Sequence, residues 1–163
     1  MKRIAIIAAL LLASIFSFAQ TGKSIYQKYS DAPGVSAMYI SPAMFRLIGK
    51  IPDLQVEGED VNLAPIIQSL SGLYLISSEN PAINAELKTE ASKLINAGRY
   101  ELLLEAKDSG ETVRMYTMGT DTIVNGFVMI AEEESESTFI YLDGKMNRED
   151  LENIIAEKMS DGK

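Results

Sequence analysis

From Arg99 onward the sequence leaves helical spacing and alternates with a period of two as far as Leu142, and this stretch constrains the fold more than any other. Tyr100, Leu102, Leu104 and Ala106 face one way, and Arg99, Glu101, Glu105 and Lys107 the other. Asp108-Ser109-Gly110 and Gly119-Thr120-Asp121 read as turns, with glycine supplying positive φ. Between and beyond them, Glu111 to Met118, Thr122 to Ala131 and Thr138 to Leu142 read as strands, with Glu132 to Ser137 as a charged hairpin tip. Consecutive strands joined by tight turns pair antiparallel, so a four-strand meander is expected.

Upstream, the period is helical. Ser24 to Ser30 reads as a short helix stopped by Asp31-Ala32-Pro33-Gly34, and Val35 to Ile40 as a strand. Ser41-Pro42 and Asn80-Pro81 each pair a capping residue with proline at the first helical position. The first helix carries Met44, Phe45, Leu47 and Ile48 to Gly49. The second carries the stripe Ile83, Leu87, Ala91, Leu94 and Ile95 to Gly98. Lys50 to Val61 reads as a loop, Asn62 to Ser71 as a helix closed by Gly72, and Leu73 to Ser77 as a buried strand. Asn147 caps a last helix with Leu151, Ile154, Ile155 and Met159 on its buried face. Amphipathic helices need an apolar sheet face to cover. The expected fold is therefore an α+β two-layer sandwich, mostly antiparallel, ending in the meander, with helices on one face.

The chain opens Met1-Lys2-Arg3, runs apolar from Ile4 to Phe18, and ends that run at Ser17-Phe18-Ala19-Gln20. A basic start, a short apolar middle and small residues before a cut are the parts of a secretory signal peptide. The run is shorter than the roughly 20 residues of a spanning helix. Residues 1–19 are thus expected to be removed, leaving 20–163 as one domain in the periplasm or secreted, with no membrane anchor. The chain has no cysteine, so a lipid-modified version of the signal is excluded. A domain of this size buries roughly 68–70% of its unfolded surface and needs no disulfide. The net charge of −8 becomes −10 once Lys2 and Arg3 leave, which disfavours nucleic acid and anionic membranes as partners.

With no histidine and no cysteine, the chain lacks an imidazole base, a thiolate nucleophile and the usual zinc ligands. No cofactor motif is present. Carboxylates, lysine, tyrosine and serine are the chemistry that remains.

Tyr26 to Ser30 (YQKYS), Gly34 to Ile40 (GVSAMYI), Ser41 to Phe45 (SPAMF) and Asp143 to Met146 (DGKM), with the export signal, resemble a Bacteroidetes family of small exported proteins. That family is domain of unknown function four-two-five-two. The resemblance spans nearly the whole mature chain and implies an envelope location in a Gram-negative cell. It carries no site residue with it.

Several groups compete as sites. Glu132-Glu133-Glu134-Ser135-Glu136 and Glu57-Gly58-Glu59-Asp60 lack the ligand spacing of a calcium loop, so no metal is expected. Lys23-Ser24 and Ser41 match no serine–lysine motif, and Ser41 is already a helix cap. The less ordinary feature is the meander itself: Thr122 to Ala131 is apolar on both faces, whereas a one-sided sheet keeps a polar outer face. Either a loop such as Lys50 to Val61 covers the second face, or Met115, Tyr116, Met118, Phe139 and Tyr141 contribute to an exposed patch for an apolar ligand or an envelope protein. The leading functional expectation is accordingly a non-enzymatic envelope binding or accessory module. A hydrolase using carboxylates such as Glu101, Glu105 and Asp121 is the alternative, and an accessory of an envelope-stress regulatory system is the third.

Overall fold

The computed structural model describes residues 21–48 and 64–160. The export signal, the loop Lys50 to Val61 and the acidic Glu57 to Asp60 lie outside the described residues. The elements run α1 (Gly22–Tyr29), β1 (Val35–Ile40), α2 (Pro42–Ile48), α3 (Ala64–Ser69), β2 (Leu70–Ser78), α4 (Pro81–Gly98), β3 (Glu101–Asp108), β4 (Glu111–Gly119), β5 (Ile123–Glu132), β6 (Ser137–Asn147) and α5 (Arg148–Ser160). The fold is α+β, built on one six-stranded sheet of order β1-β2-β6-β5-β4-β3 with every pair antiparallel. The expected meander is its β3 to β6 half, and β6 joins that half to the β1–β2 pair.

The caps follow the residue chemistry. Thr21 and Ser24 form a reciprocal capping box on α1. Ser41 Oγ accepts from the Met44 N–H at 3.3 Å, and Asn80 Oδ1 accepts from Ala82 at 3.0 Å with Pro81 behind it. Asn147 Oδ1 accepts from Glu149 at 2.9 Å, which starts α5. At the end of α4 it is Arg99, not Gly98, that takes the left-handed conformation, with φ 53°.

Two apolar clusters sit on opposite faces of the sheet. The first joins Ile25 and Tyr29 of α1, Leu87, Ala91 and Leu94 of α4, and Tyr74, Ile76, Val128, Phe139 and Tyr141 of the sheet. Ile66 of α3 and Leu151 of α5 meet Val124, Phe127 and Met146 in the second. Neighbouring residues on a strand point to opposite faces, so Phe127 and Val128 belong to different clusters. Helices therefore pack on both faces, not on one as expected. This coverage is the physical reason that β5 is apolar on both sides.

Three local readings also change. Leu70 belongs to β2, not to the preceding helix, and Gly72 lies within that strand beneath the Tyr74 ring, where a Cβ would meet the ring at 2.8 Å. β6 runs on through Asp143-Gly144-Lys145-Met146 to Asn147. In β3 the register shifts between Leu102 and Leu104. That bulge turns Leu104 to the face opposite Leu102, so the continuous alternation read from the sequence breaks there.

Gly22 shows how closely α1 lies on the sheet: a Cβ there would fall onto Cβ and Cγ of Tyr141. These atoms are at the root of a buried side chain, so the ring cannot swing aside and α1 must lift. Gly22→Ala is expected to destabilise by about 1–3 kcal/mol, as overpacking does. Urea denaturation checks it, and an unchanged midpoint would refute the close approach.

Candidate interaction site

The five residues expected to form a patch are not brought together on one open surface. Phe139 and Tyr141 are only 1% and 7% exposed and sit in the first cluster. Tyr116 packs against that cluster, and Met118 lies on the same face beside Gly98. Met115 points the other way, packed against the second cluster. In the antiparallel registers Met115 belongs to a row that crosses the whole second face: Met38, Leu75, Ile140, Met129, Met115 and Leu104. Only Met38, at the β1 end, is classed as exposed.

The carboxylates of the enzyme alternative do not converge. Glu105 Oε2 lies 2.7 Å from Arg114 Nε and its Oε1 2.8 Å from Lys107 Nζ. Arg114 reaches Glu132 at 2.7 Å, and Glu132 reaches Lys88 of α4 at 2.8 Å. Hydrogen bonds from Lys107 and Arg114 hold the Glu105 carboxyl below the usual range. Burial pushes Glu132 up, but Lys88 and Arg114 outweigh it and hold it down. Both groups stay ionised and paired, which suits a brace between α4 and the sheet and not a proton carrier. Glu101 lies across the bulge from Glu105 and 3.9 Å from Arg148, while Asp121 is exposed in a turn.

Clefts of about 240 and 290 Å³ flank the β5–β6 tip. The first is lined by Asn84, Lys88, Glu132 and Glu134, among others, and the second by Ser36, Ser77, Glu79 and Glu136. In the second, the Ser77 hydroxyl is spent on Glu136. Among the described residues no group of three or more histidine, cysteine, aspartate or glutamate side chains is placed to hold a metal ion. No helix among them is long and apolar enough to cross a membrane.

The exposed apolar surface lies instead around β1, an edge of the sheet. Among the described residues, the large apolar side chains left exposed are Met38, Tyr39, Met44 and Leu47, together with Leu102 on β3. α2 turns Phe45 inward and so leaves Met44, Arg46 and Leu47 outward. Tyr39, although 46% exposed, does not hang free. Its ring stacks on Tyr74 at 4.9 Å, Tyr74 stacks on Tyr141 at 6.0 Å, and Tyr26 leans edge-on against Tyr74 at 5.5 Å. Such ring pairs contribute about 0.5–1.5 kcal/mol each beyond burial. The core thus holds an aromatic side chain in place at the rim, the kind of rigid anchor that interfaces use. A sequence reading recognises Val35 to Ile40 as a strand but carries no signal that it lies at an edge. It has no charged residue, but neither has the interior strand β2, so composition does not separate the two.

The tyrosine row also sets a response to alkali. Burial, then the charge of Tyr39 and hydrogen bonding to it, push Tyr74 up to about 12. Burial pushes Tyr141 higher still, with the charges of Tyr100 and Asp143 adding to it. Both phenols are raised above the unfolded value near 10, so the folded state keeps protons that the unfolded state releases. Stability is therefore full below about pH 10 and falls as pH rises toward 12. Phenolate absorbance of the folded protein should show at least two of the seven tyrosines ionising only as the chain unfolds. Ionisation of all seven near pH 10 without unfolding would contradict the stack.

Tyr116→Ser with Tyr141→Ser is expected to destabilise by several kcal/mol, because Tyr141 is core. A stable double variant in chemical denaturation would restore the open-patch reading.

The model of a family described as a domain of unknown function (DUF4252) matches residues 29–154. No curated protein and no solved structure matches the chain.

Proposed function

We propose, for a chain that belongs to the DUF4252 family, a non-enzymatic interaction module of the cell envelope. It is exported by residues 1–19 and works as the domain 20–163, in the periplasm or outside the cell, in a bacterium of the Bacteroidetes type. The observation that carries this reading is that Met38, Tyr39, Met44 and Leu47 all stand exposed within one ten-residue stretch that includes β1, which among the described residues pairs with a strand on one side only. Apolar side chains exposed together mark interfaces more often than apolar side chains scattered singly. Support for export comes from the basic, apolar and small-residue order of Met1 to Gln20. The partner is another protein of the envelope.

Mature protein captured on a resin from envelope extract should retain a defined partner. Leu47, 63% exposed, supplies the selective change: Met44→Ser with Leu47→Ser should abolish capture and leave the melting temperature almost unchanged. Equal capture by the variant would overturn the assignment of this surface.

A further inference from the structure

We propose that the cleft between α4 and the β5–β6 tip binds a neutral sugar bearing an N-acetyl group. The site is separate from the surface around β1, and every residue that lines it is among the described ones.

The cleft has two parts. Its outer part, about 240 Å³, is polar and holds Ala85, Glu133, Glu134 and Ser135. A narrow inner part continues between α4 and the sheet, walled by Leu87, Ala91, Ile130 and Phe139. Its width admits a group no larger than a methyl. Asn84, Lys88, Glu132 and Ser137 line both parts and so stand where the two meet.

Asn84 is the informative residue. Its Nδ2 donates to the Ser135 carbonyl at 3.3 Å, which fixes the orientation of the amide. Its Oδ1 is then buried, with no hydrogen-bond partner. A buried acceptor left unpaired is costly and calls for a donor. One turn along α4, Lys88 Nζ lies 2.8 Å from Glu132 Oε1, which engages one of the three N–H groups of the ammonium. The Lys88 side chain is 65% exposed, so it can swing to admit a ligand to Asn84 and offer another N–H to an acceptor.

Three demands therefore meet at one place: a donor for Asn84 Oδ1, an acceptor for Lys88 and a small apolar group for the inner walls. An acetamido group supplies all three, as the N–H, C=O and methyl of one planar unit. A bare ammonium would suit the carboxylates but leave Lys88 and the inner walls without a counterpart. The outer part sets what carries the acetamido group. Glu133, Glu134, Ser135 and Ser137 offer acceptors for ligand hydroxyls, and the volume suits one sugar ring. The carboxylates of Glu133 and Glu134 turn acidic sugars away.

Amide NMR of the mature protein tests this with N-acetylglucosamine, glucosamine and glucose as probes. N-acetylglucosamine should move the signals of Asn84, Leu87, Lys88 and Ser137 saturably, and the other two sugars should leave them in place. Asn84→Leu removes the acceptor at nearly constant volume and should weaken binding by at least about tenfold. Ala85→Trp, on the exposed face of α4, fills the outer part and should abolish binding; it serves as the second variant should the first misfold. No saturable shift with N-acetylglucosamine, an equal response to glucosamine or glucose, or unchanged binding in both variants would overturn the site. Those results would leave the partner surface around β1 standing, since capture from envelope extract tests that surface separately.

Discussion

Strand β6 is the element on which the rest depends. It pairs with β5 on one side and β2 on the other, along nearly its whole length. The β5 contact is local, made across a short hairpin. The β2 contact joins Leu73 to Leu142 and Tyr74 to Tyr141, and its loop-closure entropy must be met before any of that pairing contributes. What offsets it is burial on both faces of one strand: Phe139 and Tyr141 enter one cluster, Met146 the other, and Leu142 packs beside Met146. Full burial of such a side chain stabilises by roughly 1.5–3 kcal/mol. Without β6 the β1–β2 pair would be an isolated two-stranded ribbon, which is marginal in water.

Local chemistry made much of this legible. Ser41, Asn80 and Asn147 do the capping their positions imply, and the stripe Leu87, Ala91 and Leu94 buries as its spacing requires. The meander followed from alternation and turn residues. What failed was whatever depends on partners far away in sequence. Apolar character on both sides of β5 is compatible with an open patch or a second layer of helices, and only the packing of Ile66 and Leu151 decides between them. Leu102-Leu103-Leu104 offers no side-chain cue for a bulge, because all three residues are alike. Leu70 could continue a helix or begin a strand, and its pairing opposite Gly144 decides for the strand. The expected patch failed for the same reason. Met, Tyr and Phe in a strand show that a surface will be buried, not whether by the chain itself or by a partner.

The tyrosines connect the core to the rim. Six of the seven, all but Tyr29, lie along or against the row that crosses the first face. Tyr141 is fixed between Gly22 and Tyr74, Tyr74 lies over Gly72, and Tyr39 stacks on Tyr74 at the open edge. Each ring restricts the next, so the order of the buried end extends outward. An exposed aromatic side chain ordinarily surrenders rotamer freedom when a partner arrives. Here part of that ordering is already present in the free molecule.

That pre-ordering has a consequence for how the two edges differ. On β3 the exposed Leu102 stands beside Glu101, and the bulge that follows breaks the backbone ladder. An incoming strand there would meet charge and an irregular register at once. On β1 the apolar side chains Met38 and Tyr39 project to opposite faces, and the backbone between them keeps its regular spacing. Backbone pairing and side-chain burial can then be gained together, one on the edge and the other on both faces. A sheet with two equally permissive edges would grow without limit, because each added copy would present a fresh edge. The charges and the bulge of β3 guard one edge of this sheet against strand addition, and β1 carries neither device.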